Sequence, residues 1–120
     1  MPKKKILIID DDAELGEEMS ENLEAEGYAV DSVMDGLKGV ELIRKKTYNV
    51  YLLDFKMQGI TGIDLLKEIR KTDQKAAVFL VSGRPGLAAL LNEENLSDAV
   101  TGILERPFDP RILIDKLKTV

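Results

Sequence analysis

Short apolar runs separated by stretches of helical periodicity constrain this chain more than any other feature. Four runs, residues 6–9, 50–53, 76–81 and 100–104, are compact, apolar and bounded by polar or turn residues. That is the pattern of strands covered on both faces in a parallel sheet. Residues 28–33 form a weaker run, broken up by Ala29, Asp31 and Met34, and read as an edge strand. Between the runs, Leu15, Met19 and Leu23, then Leu37, Val40 and Ile43, then Ile63, Leu66 and Ile69 recur at spacings of three and four, so one face of each predicted helix packs inward. Thr61 with Asp64 has the form of a capping box at the start of the third helix. Pro110 followed by Ile112, Leu113 and Leu117 predicts a closing helix, whereas Pro85, Gly86 and the polar residues 92–95 leave at most a short one, from Leu87 to Leu91 and a little beyond. Strand and helix alternating five times argue for an α/β sandwich with a central parallel sheet and right-handed crossovers. In such sheets the ligand site lies beyond the carboxyl ends of the strands, where strand order reverses.

At 120 residues the chain has the length of one domain, expected over residues 1–120. A net charge of −5 repels phosphate backbones, which disfavours direct binding of nucleic acid and points to protein partners. Cysteine and histidine are both absent, so disulfides, thiolate sites, the usual general base and the usual transition-metal ligand are excluded. Chemistry must rest on carboxylates, hydroxyls and cations. The apolar run at residues 6–9 is too short for a signal-peptide core or a membrane span, and a cytoplasmic location is expected.

Asp10, Asp11 and Asp12 follow the first strand run, and Asp54 follows the third. If those strands are neighbours, the carboxylates converge at one sheet edge, where like charges raise one another's pKa unless a cation compensates. Oxygen-only ligation points to Mg²⁺ or Mn²⁺. Aspartate is also a preferred helix N-cap, and Asp12 is the one expected to serve that way. Ser82 after the fourth run and Arg106 after the fifth bring a hydroxyl and a cation to the same edge. A phosphoryl group needs a metal, a hydrogen-bond donor and a basic group to hold its oxygens, and these residues supply such a set.

The motifs ILIIDDD at the first strand, YLLDFKMQGITG around Asp54, FLVSG at the fourth strand and ILERPF after the fifth make the chain similar, from Lys3 to its end, to the response-regulator receiver family of two-component systems. The resemblance implies a flavodoxin-like, doubly wound five-stranded parallel sheet of order 2-1-3-4-5. It implies that Asp54 is a phosphoacceptor, taking its phosphoryl group from a phosphohistidine of a sensor histidine kinase, from a phosphotransfer protein or from a small acyl phosphate. Metal ligation by Asp11, Asp54 and the backbone carbonyl of Lys56, with Asp10 acting through water, is implied as well. Ser82 matches a hydroxyl residue that moves toward the new phosphate and biases a loop between two arrangements. The chain is then a regulator rather than an enzyme, assisting only its own phosphorylation and dephosphorylation. It would control an output domain or protein partner, with the face of the fourth helix, fifth strand and fifth helix as partner or homodimer surface. The Arg106-Pro107 bond aligns with one that is usually cis in the family.

Three residues depart from the family pattern. Arg106 stands in place of a lysine, and a planar guanidinium is not equivalent to a compact ammonium at a phosphate. Ile103 stands where an aromatic ring often moves inward on activation, and Gln58 replaces a proline in the loop after Asp54. Arg106 is nonetheless expected to reach the phosphoryl oxygens, with Lys56 and Arg84 adding positive potential at the rim. Two alternatives remain open at this point. One is a receiver-like interaction scaffold that takes no phosphate, favoured by Arg106 and Ile103. The other is a haloacid-dehalogenase-type phosphohydrolase using the D-x-D pair Asp10 and Asp12, disfavoured by the short chain and by Glu14 two places beyond the second aspartate.

Overall fold

The computed structural model describes residues 3–83 and 85–120. Five parallel strands, β1 (Lys5–Ile9), β2 (Ala29–Val33), β3 (Val50–Asp54), β4 (Ala77–Ser82) and β5 (Gly102–Glu105), lie in the order β2-β1-β3-β4-β5. The helices are α1 (Ala13–Ala25), α2 (Gly36–Lys45), α3 (Gly62–Thr72), α4 (Leu87–Glu93) and α5 (Pro110–Leu117), with one 3₁₀ turn at Ser97–Ala99. The doubly wound sheet expected from the motifs is therefore the observed one. No helix among the described residues is long and apolar enough to cross a membrane.

Side chains alternate across the strands and divide the interior in two. Leu7, Ile9, Tyr51, Leu53, Val78 and Leu80 join residues of α2, α3 and α4 on one face. Ile6, Ile8, Val50, Leu52, Phe79 and Val81 pack with Met19 and Leu23 of α1 and with Leu113 and Leu117 of α5 on the other. Each fully buried Leu, Ile or Val of this kind contributes about 1.5–3 kcal/mol.

Helix starts follow from local chemistry. Asp12, Asp35 and Asp109 each accept a backbone N–H at the start of α1, α2 and α5, and Pro110 occupies the first turn of α5. The capping box of Thr61 and Asp64 opens α3. Leu91 and Leu113 lie in the core, with Leu90 half-buried against it.

Two inward faces differ from the periodicity reading. Leu37 is 71% exposed, because α2 turns Gly36, Gly39 and Ile43 inward instead. A Cβ at Gly39 would stand 2.6 Å from Ile9 Cδ1, so this helix approaches the sheet more closely than a row of large side chains permits. Ile112 is likewise exposed, leaving Leu113, Ile114 and Leu117 to anchor α5.

Strand limits also shift. Tyr28 N–H donates back to Leu23 O of α1, so β2 begins at Ala29. The Thr101 hydroxyl accepts the Val78 N–H at 2.9 Å, a side chain standing in for a ladder carbonyl, and β5 starts at Gly102 rather than Val100. The fourth strand begins at Ala77 because the Ala76 amide is turned to Asp73 Oδ1.

Candidate functional site

Strand register brings the polar residues together. Ile9 pairs with Leu53, which puts Asp10 beside Asp54 at the carboxyl ends of β1 and β3. Asp54 pairs with Val81, so Ser82 lies one step further along β4. Arg106 N–H donates to Ser82 O at 2.8 Å, setting Arg106 directly past the end of β5. Asp54 and Ser82 are the last residues of their strands instead of the first loop residues. For Asp54 the reason is that Phe55 N–H still donates to Val81 O and prolongs the pairing.

Gly62 lets α3 start against this edge. Its N–H donates to Phe55 O at 2.8 Å, and a Cβ there would stand 2.9 Å from both Asp54 O and Phe55 Cα. Backbone at that distance gives way only at a cost, so the position favours hydrogen over any side chain.

One carboxylate oxygen from each of Asp10, Asp11 and Asp54 lies within 4.8 Å of the others. Asp10 and Asp54 are buried, at 3% and 7% exposure, while Asp11 faces solvent. Asp10 Oδ1 accepts the Asp12 N–H at 2.9 Å, and Asp10 Oδ2 accepts from Arg106 Nη2. The same nitrogen is 3.6 Å from Asp54 Oδ2, and Arg106 Nη1 is 4.0 Å from Asp12 Oδ2. Asp12 caps α1 through Oδ1, the role expected of it, and this ties up the second member of the D-x-D pair.

Burial, then the charge of Asp10 and a hydrogen bond with Asp11, push the Asp54 carboxyl up to about 7, against the opposing pull of Arg106 and of the Lys56 N–H. For Arg106, burial works against the charge. The hydrogen bond and charge of Asp10, backed by Asp54 and Asp12, outweigh it and hold the guanidinium above its ordinary value.

A cleft of about 650 Å³ opens beside Asp54. Asp11, Lys56, Ser82 and Arg106 line its polar end, and Phe55, Pro85, Leu87 and Leu90 its apolar side. Lys56 is exposed at the rim, and the rim role given to Arg84 falls outside the described residues. The Arg106-Pro107 bond is cis. Sequence reasoning did not foresee that Arg106 engages Asp10, and no signal in the chain separates a guanidinium aimed at an incoming anion from one already paired.

The family model of the response regulator receiver domain matches residues 6–118. A transcriptional regulatory protein CpxR homolog of Haemophilus influenzae is 34% identical over 97% of this chain and 49% of its own length. CpxR of Escherichia coli K12 is 34% identical over 97% of this chain and 48% of its own. The chain thus spans about half the length of these curated relatives. Among solved structures, a CheY-like receiver domain protein from Methanospirillum hungatei JF-1 superposes with a TM-score of 0.89 at 28% identity, covering 98% of this chain and 93% of that one. The response regulator TrrA from Thermotoga maritima, solved in complex with Mg²⁺-BeF, gives 0.82 at 28% identity, with 97% of each chain covered. This chain belongs to the response regulator receiver domain family of two-component systems.

Proposed function

We propose that Asp54 accepts a phosphoryl group and that the resulting charge switches the loops around it, so that residues 1–120 act as one regulatory receiver unit. The observation that carries this reading is the convergence of Asp10, Asp11 and Asp54 within 4.8 Å, with the Asp54 carboxyl pushed up to about 7. So many carboxylates at one point call for a cation, and a donor set of oxygens alone suits a hard divalent ion. Asp10, Asp11 and Asp54, with the backbone carbonyl of Lys56, would hold Mg²⁺ or Mn²⁺. Bound there, such an ion neutralises charge on the phosphoryl oxygens during transfer.

The chain's own residues do the rest. An ionised Asp54 oxygen attacks phosphorus. The P–O bond to Asp54 forms as the P–N bond of a phosphohistidine, or the P–O bond of an acyl phosphate, breaks toward its leaving group. Ser82 donates its hydroxyl to a phosphoryl oxygen, and Arg106 meets the added negative charge. A sensor histidine kinase or phosphotransfer protein is the donor, and an output domain or separate protein reads the result. Homodimerisation through α4, β5 and α5 and a cytoplasmic location belong to the same reading.

The pairing of Arg106 with Asp10 favours a second reading, an interaction scaffold that takes no phosphate. Incubation with acetyl phosphate and Mg²⁺ followed by intact mass measurement separates the two. Addition of one phosphoryl group to the wild type, lost in Asp54→Ala, supports the switch. No addition to the wild type at saturating donor supports the scaffold.

A further inference from the structure

The solvent face of α1 and a groove on the other side of the sheet carry opposite charge. Every charged residue within α1 is a glutamate, and Glu14, Glu17, Glu18, Glu21 and Glu24 are all exposed. At spacings of three, four and seven they form one stripe, facing away from the buried Met19 and Leu23. None of the five is in an ion pair among the described residues. Like charges at these spacings repel, and α1 has no basic residue in its last turn to meet the negative end of the helix dipole.

At the amino ends of the strands, beside the last turn of α2, two hollows of about 440 and 190 Å³ share Lys46 and Thr47. Lys5, Arg44, Lys45 and Lys46 line this groove, against two carboxylates, Asp31 and Asp73. Both carboxylates are already engaged. Asp31 Oδ2 accepts the Tyr48 hydroxyl at 2.6 Å and lies 3.6 Å from Lys46 Nζ, and Asp73 Oδ1 accepts the Lys75 and Ala76 N–H groups. Lys5 and Lys45 have no ion pair among the described residues. The groove therefore keeps a positive surplus on a chain whose net charge is −5.

We propose that this groove receives the acidic stripe of α1 from a second copy of the chain, joining copies head to tail. A chain cannot fill its own groove. Its α1 packs on the sheet face that holds Leu52 and Phe79, whereas Ile43, Tyr48 and Tyr51 at the groove belong to the other face. Two unlike surfaces that meet in this way leave one of each free, so the association is heterologous and is not limited to two copies. The net charge on each copy opposes it, and exposed pairs of Lys and Glu are individually weak, so the contact depends on ionic strength. It is distinct from the face of α4, β5 and α5, and it is independent of whether Asp54 takes a phosphoryl group.

Sedimentation velocity across a series of protein concentrations tests the proposal. At an ionic strength of about 0.01 M, where the Debye length is about 30 Å, the wild type is expected to sediment faster as concentration rises. At about 1 M salt, where that length is about 3 Å, the rise is expected to vanish. Glu17→Gln with Glu21→Gln, and separately Lys45→Gln with Lys46→Gln, alter only exposed side chains. Each double variant is expected to raise the dissociation constant at least about fivefold, as for the loss of two exposed ion pairs. The variant of α1 loses two negative charges, leaving −3 in place of −5, which on bulk repulsion alone would strengthen association. An equimolar mixture of the two variants retains one intact groove and one intact stripe, and is expected to form pairs at wild-type affinity and nothing larger. A wild type that stays monomeric in dilute buffer overturns the proposal. Association that survives about 1 M salt or both double variants also overturns it, because the contact then lies elsewhere. A mixture that associates no more tightly than either variant alone overturns it as well.

Discussion

Arg106 Nη2 stands 3.6 Å from Asp54 Oδ2 while donating to Asp10 Oδ2, so one guanidinium ties together the tips of β1 and β3. The pairing offsets part of the repulsion between two buried carboxylates. Charge at this sheet edge is therefore the quantity that the proposed cation binding and phosphoryl transfer, and the stability of the fold, depend on.

The first consequence is a pH dependence with a definite sign. Asp54 moves from an ordinary value of 3.8 to about 7 on folding. Between those values the folded protein holds a proton that the unfolded chain has released, so stability is fully present below about pH 4 and is lost as pH rises through about 7. Asp54→Asn removes that slope. In urea titrations with EDTA, the stability of the variant relative to wild type is expected to grow from about pH 4 to about pH 8. A constant difference across that range contradicts the assignment.

Gly62→Ala tests the close approach of α3. Its Cβ would meet Asp54 O and Phe55 Cα at 2.9 Å. The expected cost is about 1–3 kcal/mol in urea unfolding, as for overpacking elsewhere, with weaker acceptance of phosphate because the end of β3 must shift. A neutral substitution shows that the loop yields freely.

On α2, the exposed Leu37 and the buried Ile43 separate apolar character from packing. Leu37→Gln is expected to change stability by less than about 0.5 kcal/mol, and Ile43→Ala to lower it by about 2–5 kcal/mol. Similar losses from both would place Leu37 in the core.

Arg70 offers a further check, away from the acidic edge. Its Nε and Nη2 donate to Ala99 O at 2.9 and 2.6 Å and its Nη1 to Asp73 O at 3.2 Å, joining α3 to the 3₁₀ turn that precedes β5. Arg70→Met leaves the Ala99 carbonyl without these donors, and a loss of about 1–3 kcal/mol is expected. Faster amide exchange at Ala99 and Thr101 is expected with it.

Legibility in the sequence varied with the physics of each element. The continuous apolar runs of β1, β3 and β4 marked strands buried on both faces, and the caps at Asp12 and Thr61 stand where their residue types indicated. Counting apolar side chains failed on α2, where Gly39 lies close against Ile9 of the sheet and a leucine points outward. It failed again at Thr101, whose hydroxyl displaces a ladder bond. At the site, the meeting of Asp10, Asp54, Ser82 and Arg106 at one edge was readable because each ends or follows a strand. The pairing of Arg106 with Asp10 was not, since it depends on distances between segments far apart in the chain.

The proposed cation site at the tips of β1 and β3 is tested most directly with Mn²⁺ as a paramagnetic probe. At substoichiometric Mn²⁺ the amide signals of Asp10, Asp11, Asp54 and Lys56 are expected to broaden first. Those of Lys5, Ala29 and Tyr48, at the opposite edge of the sheet, are expected to broaden last. Broadening that begins at the opposite edge, or is uniform along the chain, would contradict a shared cation site at Asp10, Asp11 and Asp54.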